Sequence, residues 1–115
     1  MSTFSLGAFS AALAVVFGAF GAHALASIGA TRLGWWGTAS QYHFIAAFGL
    51  MLGGALERSR FAWQSPAGLF IAGSVLFSGS LYAMALGAPR WFGAITPLGG
   101  LSLIAAFVWL GVRAL

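Results

Sequence analysis

Along the chain, apolar positions gather into four runs, at 4–28, 38–56, 66–86 and 97–115, and polar and charged residues collect in the short stretches between them. A helix of about 20 apolar residues spans the hydrocarbon of a bilayer, and each run is long enough. The pattern predicts an all-α membrane protein, a single domain of residues 1–115 whose four transmembrane helices run up and down with short loops. Two of the starts carry their own signal: Ser65-Pro66 and Thr96-Pro97 each set a hydroxyl cap before a proline at the first helical position. Trp35, Trp36, Trp63 and Trp91 lie in or beside the connections, and Trp109 lies a turn and a half from the end of its helix, which makes an aromatic belt. Ala22-His23-Ala24 has the small-x-small form of a signal cleavage site, but neither Lys nor Arg precedes the run. The first segment is therefore expected to be a retained helix.

Composition removes the water-soluble alternative. With 61% hydrophobic residues, 5% charged residues and a mean hydropathy of +0.98, a chain of 115 residues cannot bury its apolar surface in a soluble domain. The net charge of +4 arises from five arginines against Glu57. They are too dispersed for a nucleic-acid surface, so no nucleic-acid partner is expected. Arg58, Arg60 and Arg113 fall on the face of the termini, and Arg32 and Arg90 on the other, which predicts cytoplasmic termini. Cysteine is absent, which excludes disulfides and thiolate metal sites.

Helical spacing sorts the faces. Gly7, Ala11, Ala14, Gly18 and Gly21 form a small-residue stripe on the first helix; Gly49 and Gly53 form a GxxxG pair on the second, below Ala46 and Tyr42. Ser74, Ser78 and Tyr82 share a face of the third helix. His23 projects about 160° from the small stripe of its own helix, taking 100° per residue. Folding the hairpins up places His23 and His43 about a turn inside one membrane face, with Gln41, Tyr42, Ser80, Tyr82 and Thr96 in the same half and Ser78 slightly deeper. Ser10, Ser74 and Ser102 fall at intermediate or inner depth. The expectation is a one-sided polar layer in which a neutral His23 bonds Tyr42, Tyr82 or Ser78.

The motifs GAFGAHAL (18–25), TASQYH (38–43), LFSGSLY (76–82) and ITPLGG (95–100), with Trp36, resemble those of the YgdD-like family of small membrane proteins. That family is catalogued as domain of unknown function 423 and is similar to eukaryotic transmembrane protein 256. The resemblance runs through nearly the whole chain. It implies four transmembrane helices, the inner membrane in bacteria, and no assigned reaction. Its motif positions are Gly18, Gly21, His23, Gln41, Tyr42, Ser78, Gly79, Ser80, Tyr82, Thr96, Pro97, Gly99 and Gly100. Family members often carry a histidine three residues after His43, where this chain has Ala46, which puts in doubt any site needing both.

For chemistry, the sequence offers one carboxylate, Glu57, at the face opposite the polar layer, so neither a nucleophile with its base nor a metal centre with enough ligands can be assembled. No catalytic residue and no metal site are assigned. The leading expectation is a non-catalytic membrane protein acting by interaction, as a scaffold or accessory subunit of a homo-oligomer or larger membrane complex in the lipid bilayer. The alternative is a binder of a lipid, quinone or other small amphipathic ligand at His23, Gln41, Tyr42, His43, Ser78, Ser80, Tyr82 and Thr96. Two further readings are a small transporter built as an oligomer and a haem held by His23 and His43; no cofactor is otherwise expected. Close helix packing is expected at Gly18, Gly21, Gly49, Gly53, Gly79, Gly99 and Gly100. The amides of Gly99 and Gly100 after Thr96-Pro97 also suit an anion, although packing is the simpler role.

Overall fold

The computed structural model describes residues 2–58 and 60–115. Four helices follow one another: α1 (Thr3–Ala24), α2 (Ala30–Glu57), α3 (Pro66–Ala85) and α4 (Thr96–Arg113). In the middle of α3, Ser74–Gly79 widens into a π-helical stretch, and a 3-10 turn at Arg90–Ala94 leads into α4. By length and composition, α1, α3 and α4 with its preceding turn are able to cross a membrane.

α2 is the central element. α1 lies along one side of it and α3 along the other, while α4 packs mainly on α3 and touches α2 only thinly. The α1–α2 hairpin is mirrored about the turn that ends at Gly29, so that Phe17 meets Trp36, Ser10 meets His43, Gly7 meets Ala47 and Phe4 meets Gly54. At one end Leu50 and Phe70 pack with Ala46, Ala67, Leu103, Ala106 and Leu110 to join α2, α3 and α4. Toward the other end, Leu25, Trp36 and Ala85 form one cluster and Ala39, Leu81 and Met84 another.

Several boundaries differ from the sequence expectation. α1 stops at Ala24 rather than at residue 28, because Leu25 and Ile28 fold back over Trp36 and Gly29 turns the chain at φ 100°. α2 starts at Ala30 rather than at residue 38, so Arg32, Trp35 and Trp36 belong to its first turns and not to a connection. Interfacial residues mark where lipid ends; a helix can continue past that level. Ser65 does cap α3, but its hydroxyl donates back to the Ala62 carbonyl at 2.6 Å. Thr96 lies inside α4, the cap being Ile95, and its hydroxyl is taken by Ser80.

Close packing also falls partly elsewhere. The ring of Trp36 lies on Gly21, the ring of Phe70 on Gly49, and the backbone of Phe77 on Gly99. Gly53 and Gly100 have only ordinary room around them, with the nearest side-chain atom 3.6 Å from where a Cβ would stand, and Gly18 and Gly79 face open space. The tight crossing on α2 is at the neighbouring Gly54, against the backbone of Phe4, and Gly73 on α3 meets Leu103 and the carbonyl of Gly99. At that end the termini of α2 and α4 are tied by the Glu57–Arg113 ion pair, 2.9 Å.

Candidate functional site: a polar cleft between α1 and α3

His43 stands at the middle of α2, 13 residues from Ala30 and 14 from Glu57, and is 7% exposed. Each ring nitrogen is engaged. Nδ1 lies 3.1 Å from the Tyr82 hydroxyl of α3 and Nε2 lies 3.1 Å from the Ser10 hydroxyl of α1. Tyr82 donates in turn to Ser40 at 3.2 Å. With the Tyr82 proton committed to Ser40, Tyr82 is the acceptor for Nδ1–H; for a neutral ring, Nε2 then accepts from Ser10.

Aromatic rings frame this line of bonds. Phe17 meets Tyr82 edge-on at 5.2 Å and Trp36 meets it at 4.6 Å, while Trp36 Nε1 donates to the Phe17 carbonyl at 2.7 Å. Gly21 is what lets the indole come this close to α1. On the α3 side, Ser78 is buried in the π-helical stretch and donates to the Ala39 carbonyl at 2.7 Å. Ser80 bonds the Phe77 carbonyl at 2.9 Å and the Thr96 hydroxyl at 2.6 Å, which links α3 to α4.

Because α4 sits on the far side of α3, α1 and α3 leave a cleft of about 300 Å³ between them. Ser10, Ser74, His43, Ser78 and Tyr82 give it polar groups; Leu13, Phe17, Ile71 and Val75 give it apolar walls. π-helical turns recur at functional sites because the wider turn re-aims side chains and carbonyls, and here that turn forms the α3 wall.

The remaining expected residues are not in this cleft. His23 is exposed near the end of α1 and hydrogen-bonds none of the described residues; the expected bond to Tyr42, Tyr82 or Ser78 is not made. It is 13 residues from Ser10, the α1 partner of His43, which is about 20 Å along the helix. His23 and His43 therefore share neither depth nor a common space, contrary to the expected layer and to the haem geometry that required both. The polar residues also do not form a layer confined to one half: the network runs from Tyr82, three residues from the end of α3, to Ser10, seven residues from the start of α1. Tyr42 is exposed with its ring 4.6 Å from Phe77, and Gln41 is exposed with no hydrogen-bond partner among the described residues. Ser10 and Ser40 are members that depth arguments missed; the signal that finds them is the mirror of the hairpin, legible once its turn is set at Gly29.

The fold and its buried polar line define a small all-helical membrane protein. A family model described as a protein of unknown function, DUF423, matches residues 17–100, and the chain belongs to that family. It is 40% identical over 113 residues to the inner membrane protein YgdD of Escherichia coli K12, covering 94% of this chain and 85% of that one. It is 44% identical over 113 residues to the membrane protein YwdK of Bacillus subtilis 168, covering 95% and 92%. No solved structure matches the chain.

Proposed function

We propose that this is a non-catalytic protein of the bacterial inner membrane, crossing the bilayer four times, that holds a small amphipathic molecule in the cleft between α1 and α3. The observation that carries the reading is a cleft of about 300 Å³ at mid-length of α2, walled mainly by apolar side chains, with a fully bonded His43 among its lining residues. Polar groups inside a membrane are expensive, and a largely apolar cleft with a few bonded hydroxyls at its base suits a quinone, phenol or alcohol head with an apolar tail lying along Leu13 and Val75. α2 makes the fourth crossing, since it lies antiparallel along α1 and turns its Ser40 and His43 side chains inward. Chemistry at His43 lacks a carboxylate: Glu57, the chain's single one, is paired with Arg113 at the end of α2. Gln41, exposed on α2 without a hydrogen-bond partner among the described residues, supports self-association or membership of a larger membrane complex, the scaffold role.

The test is native mass spectrometry of the protein released from mild detergent. A retained adduct of a few hundred daltons is expected in the wild type and is expected to vanish in Gly79→Leu. Gly79 lines the cleft and a Cβ there meets nothing within 4 Å, so the added side chain fills the cleft and leaves the packing alone. A bare mass for the wild type, or an adduct unchanged in Gly79→Leu, removes the ligand reading and leaves the scaffold; the same spectrum reads the stoichiometry.

A further inference from the structure

A second cleft, of about 390 Å³, opens where the start of α2 meets the end of α3 and the turn before α4. Two guanidinium groups line it. Arg32 is anchored through Nε, which donates to the Ala85 carbonyl at 2.8 Å, and its Nη2 passes beside Gly87, where φ of 112° leaves the backbone without a side chain in the way. Arg90 lies over the ring of Trp35, 5.6 Å from its centroid. Neither has a carboxylate to answer it: the chain's one acid, Glu57, is at the opposite end of α2 and already paired with Arg113.

Backbone polarity adds to the same charge. α2 starts from Gly29 with no side-chain cap, so the N–H groups of its first turn, which helix geometry leaves without internal acceptors, open at the rim of this cleft. An anchored guanidinium keeps its outer N–H groups presented as a planar fork, the geometry that matches phosphate oxygens.

We propose that this cleft is a binding site for a phosphoryl anion, in which Arg32 and Arg90 clamp the oxygens of a lipid phosphodiester or of free phosphate. The site is separate from the cleft at His43 and does not depend on what that cleft holds. A phosphodiester is the fit when the acyl chains run down past Ile28 and Met84, two apolar residues of the cleft wall.

The experiment titrates the full chain in neutral detergent with phosphatidylglycerol, with diacylglycerol as the same lipid lacking the phosphoryl group, and with inorganic phosphate, each read by native mass spectrometry. The wild type is expected to bind one phosphatidylglycerol in preference to diacylglycerol, and Arg32→Gln with Arg90→Gln is expected to weaken that binding about tenfold or more, while Arg60→Gln at the other end leaves it unchanged. Arg90→Gln alone keeps the test sound if loss of the Arg32–Ala85 bond disturbs folding, since it too is expected to weaken binding. Displacement of the lipid by millimolar phosphate assigns the site to the free anion, and lipid binding without displacement assigns it to the head group. Phosphatidylglycerol binding equal to that of diacylglycerol, or unchanged by the arginine variants, overturns the proposal. Gly79→Leu must leave the binding intact, which separates this site from the cleft at His43.

Discussion

At the scale of single residues, the two histidines make opposite demands on the fold. His43 joins three helices, since its ring nitrogens meet hydroxyls of α1 and α3 while its backbone belongs to α2. A single interhelical hydrogen bond in a membrane is worth only about 0.6 kcal/mol on average. Removing the ring, however, leaves the Ser10 hydroxyl without its partner and Tyr82 with Ser40 alone, at about 1 to 3 kcal/mol for a hydroxyl left unsatisfied in a low-dielectric interior. His43→Leu is accordingly expected to lower stability by about 2 kcal/mol or more, and a double-mutant cycle with Tyr82→Phe to return a coupling of about 0.6 to 1.7 kcal/mol. His23, exposed and bonded to none of the described residues, is expected to tolerate His23→Leu within about 0.5 kcal/mol. Unfolding of both variants in mixed micelles decides the matter, and equal losses at the two positions contradict this division of roles.

At the scale of elements, the hairpin of α1 and α2 explains what the sequence could and could not disclose. Four apolar runs, the prolines at 66 and 97 and the inward stripe of α1 were all legible, because burial in lipid and helical period act locally. The register of the hairpin was not. Ala24 to Ile28 reads as more membrane helix, but Leu25 and Ile28 are buried by Trp36 and Ala85 rather than by lipid, and hydropathy cannot distinguish the two. Setting the end of α1 four residues late and the start of α2 eight residues late moved His43 to the membrane edge and hid its pairing with Ser10. The same one-dimensional blindness chose Gly53 over Gly54, since GxxxG spacing names a face but not the neighbour that fills it. A Cβ at Gly54 would collide with the backbone of Phe4, which cannot rotate away, whereas at Gly53 it would stand 3.6 Å from a methyl of Leu110. Gly54→Ala is therefore expected to disrupt the α1–α2 hairpin. Gly53→Ala is expected to be neutral or stabilising by up to about 1 kcal/mol, the helix propensity gained. Thermal melts of the two purified variants check the contrast.

At the scale of the whole molecule, the arrangement is a row with α2 inside it rather than a square of equivalent helices. The bonded polar side chains accordingly concentrate on the two inner helices: Ser40 and His43 of α2 and Ser78, Ser80 and Tyr82 of α3 have protein on two sides, so partners can be supplied from both neighbours. The row also fixes which charges share a membrane face. Arg32 lies against the end of α3 and Arg90 against Trp35, at one end; Arg113 pairs with Glu57 at the other, where Ser2 bridges Arg60. Arg58, Arg60 and Arg113 then outnumber Arg32 and Arg90 by one, and the positive-inside rule, which counts basic residues near the spans and gives acids little weight, predicts that end to face the cytoplasm. In this cysteine-free chain, Gln64→Cys and Ala94→Cys place single thiols at exposed positions on opposite ends. In intact cells an impermeant maleimide is expected to label Ala94→Cys and to reach Gln64→Cys only after permeabilisation. The reverse pattern inverts the protein, and places the cleft of Arg32 and Arg90 on the cytoplasmic leaflet instead of the outer one.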